Sequence, residues 1–144
     1  MKDSTSDESA AQASLTGPAE LGFVDEVLDT LDGLYTATGD VSDEDQTLFS
    51  LAVSEVATNI VTHSEADAEV TVTADLAVDE EELSAQFEDN ADPADVPLEA
   101  ATLPDELAES GRGLAIAKMA LDELSHEVND GHVWQLMRKR RDSE

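Results

Sequence analysis

The 144-residue sequence predicts an α+β fold, a two-layer sandwich in which helices cover one face of a mixed, mostly antiparallel sheet. Three observations carry that expectation. Two early stretches space their large apolar residues by three and four. Two later stretches alternate apolar with polar residues. The chain then closes with one more helical stretch and a second alternating pair around Asn129-Asp130-Gly131. A chain of this length suits one domain with a modest core.

Residues 1–16 hold hardly any large apolar side chain, too little to offset the entropy of ordering, so a disordered acidic leader is expected there. Leu21, Val24, Leu28, Leu31 and Leu34 then form one stripe, which predicts a helix over residues 18–37. Ser42 is placed to cap a second helix, with Asp43, Glu44 and Asp45 favoured in its first turn by the helix dipole. Phe49, Val53, Val56 and Ile60 continue that helix to about His63. Residues 69–76 and 83–88 read as antiparallel strands joined by the acidic turn 79–81. Residues 91–110 carry Pro93, Pro97 and Pro104 with no clear period, as a functional lid or an insert would. After Gly111-Arg112-Gly113, the spacing of Leu114, Ala117, Lys118 and Leu121 predicts a third helix ending near Asp122. Residues 123–128 and 133–138 form a closing hairpin, with Asp130-Gly131 expected to supply positive φ. The folded domain is therefore expected over residues 17–141, followed by a short tail, 142–144.

Composition excludes several functions. With 35 acidic and 7 basic residues the net charge is −28, which repels nucleic-acid phosphates and anionic membranes, so no direct nucleic-acid partner is expected. The acid is spread along the chain, as either a high-salt environment or acidity for solubility requires. There is no cysteine, no run of about 20 apolar residues and no secretory-type start, so a cytoplasmic protein without a membrane partner is expected. His63, His126 and His132 are scattered rather than spaced as a ligand set. The basic run Arg138-Lys139-Arg140-Arg141 reads as a solubilising strand end or tail, with a docking site as the alternative.

Three places could carry chemistry. Glu55 and Asn59, four apart on the second helix, share a face; a carboxylate there can act as a base and an amide oxygen can ligate a hard cation such as Mg²⁺. The same spacing also describes the wet shoulder of an ordinary helix. Asp89 keeps the parity of Leu83, Ala85 and Phe87 and so should point inward at the end of its strand. An inward carboxylate needs a donor, such as the amino group of adenine, unless the strand end frays into water. Gly111-Arg112-Gly113 ahead of a helix offers free N–H groups at the positive end of a dipole, which suits phosphate, although a lone Gly-x-Gly is also a common turn.

Taken together and in this order, these segments resemble a known family. Ser54-Glu55-Val56-Ala57-Thr58-Asn59-Ile60-Val61-Thr62-His63 is similar to the N box of the GHKL (Bergerat-fold) ATPase and kinase superfamily, in the form found in anti-sigma-factor serine/threonine kinases. Phe87-Glu88-Asp89-Asn90-Ala91-Asp92-Pro93 resembles the next box, and Ser110-Gly111-Arg112-Gly113-Leu114-Ala115-Ile116 resembles the glycine box. The resemblance spans residues 15–140. It implies a Bergerat ATP-binding fold, ATP and Mg²⁺ as cofactors, Asn59 as the Mg²⁺ ligand and Glu55 as the catalytic base. It further implies that Asp89 receives the adenine amine, that Gly111 and Gly113 let backbone approach the phosphates, and that Ala91, Arg112 and Leu114 occupy nucleotide-binding positions. Two departures stand out: Ala91 replaces the glycine usual two residues after the aspartate, and the lid has no Lys or Arg before Gly111, leaving Arg112 and Lys118 as the nearest cations.

The function implied is that of an anti-sigma-factor kinase, which holds a sigma factor and phosphorylates a serine of an anti-anti-sigma (STAS-type) protein, as a homodimer. The alternative is a non-catalytic nucleotide-binding regulator that sequesters a protein partner. His63 is expected to cap or pack rather than be phosphorylated, and Phe87 and Trp134 to belong to the core.

Overall fold

A computed structural model describes residues 11–63, 70–90, 108–128 and 131–140. Among the described residues, five strands and three helices follow one another as β1 (Ala11–Pro18), α1 (Leu21–Thr38), α2 (Asp43–His63), β2 (Thr71–Val78), β3 (Glu82–Asp89), α3 (Ala108–Ala120), β4 (Glu123–Val128) and β5 (His132–Lys139). The sheet order is β1-β2-β3-β5-β4, and each of its four neighbouring pairs is antiparallel rather than mixed. Alternate residues of β2, β3 and β5 are buried beneath the helices, so the sheet has one covered and one open face as the α+β expectation requires. Among the described residues no helix is long and apolar enough to cross a membrane.

The first correction concerns the leader. Residues 11–16, expected to be disordered, belong to β1, which pairs with β2 from Ala11↔Val78 to Pro18↔Thr71. Ser14 donates to Asp75 Oδ1 (2.7 Å), and Thr16 and Thr73 share a hydrogen bond across the pair. Residues 1–10 lie outside the described residues, as do the tail 142–144 and residues 91–107 of the expected lid.

Helix α1 buries Phe23, Val24, Val27, Leu31, Leu34 and Tyr35, while Leu21 is 63% exposed, so the buried stripe lies to one side of that expected. Gly39 ends the helix at φ +79°, a left-handed-side conformation glycine adopts without steric cost, and its N–H reaches Tyr35 O. Tyr35 ties α1 to α2 through hydrogen bonds to Ser50 Oγ and Gln46 O. Burial pushes its hydroxyl pKa well up against the lowering effect of Ser50, with Asp32 and Asp45 adding to the rise. The N-cap of α2 forms as expected: Asp45 N–H donates to Ser42 Oγ at 3.0 Å. Phe49, Val53, Val56 and Ile60 are all buried, and so are Phe87 and Trp134 on the sheet.

The basic end is corrected too. Arg138 is buried, paired with the fully buried Asp45 through Nε at 2.9 Å, and donates from Nη1 to Ala120 O. Arg140 donates to the carbonyls of Asp79 and Asp40. Two of the four basic residues thus fasten α2, α3 and the β2–β3 turn to the sheet instead of forming a surface patch. Arg141 lies outside the described residues.

Candidate functional site

The Asp45–Arg138 pair fixes how α2 lies on the sheet, and that sets the site. Asn59 is fourteen residues beyond Asp45, about 21 Å along a helix. His132 is six residues before Arg138, about 20 Å along a strand. Helix α2 packs on both β3 and β5, and in that strand pair His132 stands across from Asp89.

Asn59 is 7% exposed, and its side-chain oxygen, Oδ1, is buried without a hydrogen-bond partner. An amide oxygen left so costs about 1–3 kcal/mol, and such an orphan points to a ligand. A buried neutral oxygen suits a hard cation that is bound jointly with phosphates, as Mg²⁺ is. Among the described residues no group of three His, Asp or Glu side chains is placed to hold a metal alone. Glu55, one turn earlier, is partly exposed, and Gly113 of α3 lies against it so closely that a Cβ there would collide with Glu55 Oε1. Asp89 is 7% exposed, so the inward parity read from the strand holds and its carboxylate does not fray into water.

The glycine segment differs from expectation. Helix α3 starts at Ala108, so Gly111 and Gly113 sit inside it rather than ahead of it, and its free N–H groups belong to an earlier turn. Within the helix, the missing side chain of Gly113 is what lets α3 approach Glu55. Leu114 is buried at 1% exposure and packs in the core. Lys118 is exposed in the last turn of α3, where a cation complements the helix dipole. Ala91 lies outside the described residues, as do the side chains of Arg112 and His63.

Two residues beside Asp89 were not anticipated. Gly131 approaches the Asp89 backbone so closely that a Cβ would meet Asp89 O. Its φ is not positive, unlike that of Gly39, so close approach and not turn geometry calls for glycine there. Because the clash is with backbone, no side chain can swing aside; Gly131→Ala is expected to destabilise by about 1–3 kcal/mol, read as a lowered urea midpoint. As an internal reference, Gly33→Ala, at an exposed position of α1 with nothing near its Cβ, should stabilise by about 0.5–1 kcal/mol. The other is His132, 4% exposed, whose Nδ1 lies 2.6 Å from His126 Nε2. Histidines counted as scattered along the chain meet here because the hairpin pairs Val128 with His132 and His126 with Trp134.

A concavity of about 630 Å³ lies elsewhere, on the open face of the sheet. It is lined by side chains such as Ser14, Asp75, Gln86 and Gln135, which satisfy one another through Ser14–Asp75 and Gln135–Gln86 hydrogen bonds. Among the described residues, no groups converge there on a ligand atom.

The sequence matches the model of the histidine kinase-like ATPase domain family over residues 17–139. Among solved structures, the fold resembles the crystal structure of the RsbU and RsbW domains of Rv1364c from Mycobacterium tuberculosis, with a TM-score of 0.64 and 21% identity. That match covers 93% of this chain and 34% of the other, so the chain spans about a third of the length of the solved chain it resembles. No curated protein matches.

Proposed function

Because the chain belongs to the histidine kinase-like ATPase domain family, we propose that it is an ATP- and Mg²⁺-dependent serine/threonine protein kinase of the anti-sigma-factor type. In this reading it acts in the cytoplasm as a homodimer, holds a sigma factor, and phosphorylates a serine of an anti-anti-sigma (STAS-type) protein. The observation that carries it is the buried, unpartnered Oδ1 of Asn59 one turn from Glu55. The similarity of the three boxes to those of the anti-sigma-factor kinases gives that pair its roles.

Asn59 Oδ1 would hold Mg²⁺, whose charge neutralises the phosphate oxygens of bound ATP. Asp89 would accept from the adenine amine and fix the base, and Gly111, Arg112 and Ala91 would line the nucleotide's path. Leu114 supports α3 from beneath, through the core. Glu55 would take the serine proton as the hydroxyl oxygen attacks the γ-phosphorus. The new Ser O–P bond forms as the bond to ADP breaks, and the proton ends on the carboxylate. The protein's contribution is position: a rigid α2 sets Glu55 and Asn59 one turn apart, and little covalent work is asked of any side chain.

Two features of the sequence favour the second reading, a nucleotide-binding regulator that sequesters a partner without transfer: Ala91 in place of the usual glycine, and a lid without Lys or Arg before Gly111. The two readings separate on incubating the protein with γ-labelled ATP, Mg²⁺ and a serine-bearing STAS-type protein encoded beside it. Label on the partner's serine, absent without Mg²⁺, is the outcome for a kinase; saturable ATP binding with no label on any partner is the outcome for the regulator.

A further inference from the structure

Glycine is among the poorest helix formers, and Gly113 sits in the interior of α3, so its presence calls for a reason outside the helix. Phosphate binding does not supply one. In a helix that starts at Ala108 the first four N–H groups are free, and Gly113, the sixth residue, lies beyond them in the intrahelical ladder. Packing supplies the reason instead. A Cβ on Gly113 would collide with Glu55 Oε1 while standing 3.4 Å from Glu55 Cδ and 3.9 Å from Glu55 Cβ. The Glu55 side chain therefore runs along α3 here, with its carboxylate in the space that a side chain at 113 would fill.

The two helices are held from parting. One buried cation ties them together, since Arg138 donates from Nε to Asp45 of α2 and from Nη1 to Ala120 O at the end of α3. Leu114, beside Gly113, and Ala117 are buried in the core. What can yield to a methyl group at 113 is the carboxylate, the far end of a flexible and partly exposed side chain. Gly131 is the contrast, because a Cβ there meets backbone. We propose that Gly113 is a positioning residue for Glu55: by carrying no side chain it leaves the room in which the carboxylate stands to take the serine proton, and α3 is the wall that holds it there. This rests on the kinase reading of Glu55. It gives Gly113 a role other than the approach to phosphate that the resemblance implies.

The test uses the full chain as wild type, Gly113→Ala, Glu55→Asp, whose carboxylate is one methylene shorter, and the double variant. Single-turnover transfer from γ-labelled ATP with Mg²⁺ to the serine-bearing STAS-type protein is measured beside ATP affinity by calorimetry. Regaining van der Waals distance from the new methyl moves the carboxylate by roughly 1 Å. Gly113→Ala should therefore lower transfer about 10²-fold, as a misplacement of that size does, with ATP affinity held within about twofold. Its urea midpoint should stay level or rise, because alanine is the better helix former. On the Glu55→Asp background the shorter carboxylate clears the methyl, so Gly113→Ala should cost about threefold or less in transfer. Wild-type transfer in Gly113→Ala, or the same penalty on both backgrounds, overturns the proposal. ATP affinity that falls in step with transfer also overturns it, in favour of a contact with phosphate. A wild type that binds ATP and transfers nothing removes the kinase reading and the proposal with it. Carbon NMR without nucleotide tests the displacement alone: the Glu55 Cδ resonance, assigned by its loss in Glu55→Gln, should shift in Gly113→Ala, and an unmoved resonance contradicts the proposal.

Discussion

Arg138→Ala should lower the unfolding free energy by about 3–5 kcal/mol, because it leaves a fully buried Asp45 carboxylate with its guanidinium partner gone. The same substitution takes away the donor to Ala120 O, which holds the end of α3. Asp45→Ala should cost a similar amount, for it strands the Arg138 charge at 3% exposure. The pair need not be worth that much itself: desolvation of both ions offsets most of their attraction, so the double replacement Asp45→Leu with Arg138→Met should cost clearly less than either single alanine. Urea unfolding at constant molar salt, which keeps the repulsion of a −28 chain fixed across variants, measures all three. A double replacement as damaging as the sum of the singles would show that Asp45 and Arg138 act separately.

Glu55→Gln should reduce phosphoryl transfer by about 10²- to 10⁴-fold, the range contributed by a general base, while ATP affinity stays within about twofold. Glutamine has nearly the same shape, so the contact with Gly113 and the packing of α2 on α3 survive; what is lost is a group that can take the serine proton. Single-turnover transfer, with ATP binding measured on the same sample, separates the two quantities. Transfer at the wild-type rate would remove Glu55 from the chemistry, and equal loss of binding and transfer would make it a structural residue.

Much of this was legible in the sequence where a strong period met a cap. Helix α2 announced itself through Ser42, three acids and four large apolar residues, and with it came Glu55 and Asn59 at their spacing. Asp89 was legible because strand parity is a period of two and Phe87 anchors it. Strand β1 was not, since Ala11, Ala13 and Gly17 are too small to signal burial; it is held by its pairing with β2, a tertiary fact. The start of α3 was misplaced because Ser110, Gly111 and Gly113 are poor helix formers; packing against α2 overrides their propensity. Arg138 shares the parity of Trp134 and Leu136, and that pattern put it inside; its membership of a basic run suggested the surface instead. The histidine couple could have been found from the hairpin register, had His126 and His132 been considered as neighbours across a turn and not only as metal ligands.

The measurement that bears most directly on the central claim, a Mg²⁺-dependent ATP site built on Asn59, is calorimetric titration of the folded wild-type protein with ATP. It is made with and without Mg²⁺, in low and in molar salt, beside Asn59→Ala. Saturable one-to-one binding that strengthens at least about tenfold with Mg²⁺, together with loss of that Mg²⁺ effect in Asn59→Ala, is the result predicted from an orphaned ligand oxygen. No heat of binding under any of these conditions, from a protein shown to be folded, would contradict it.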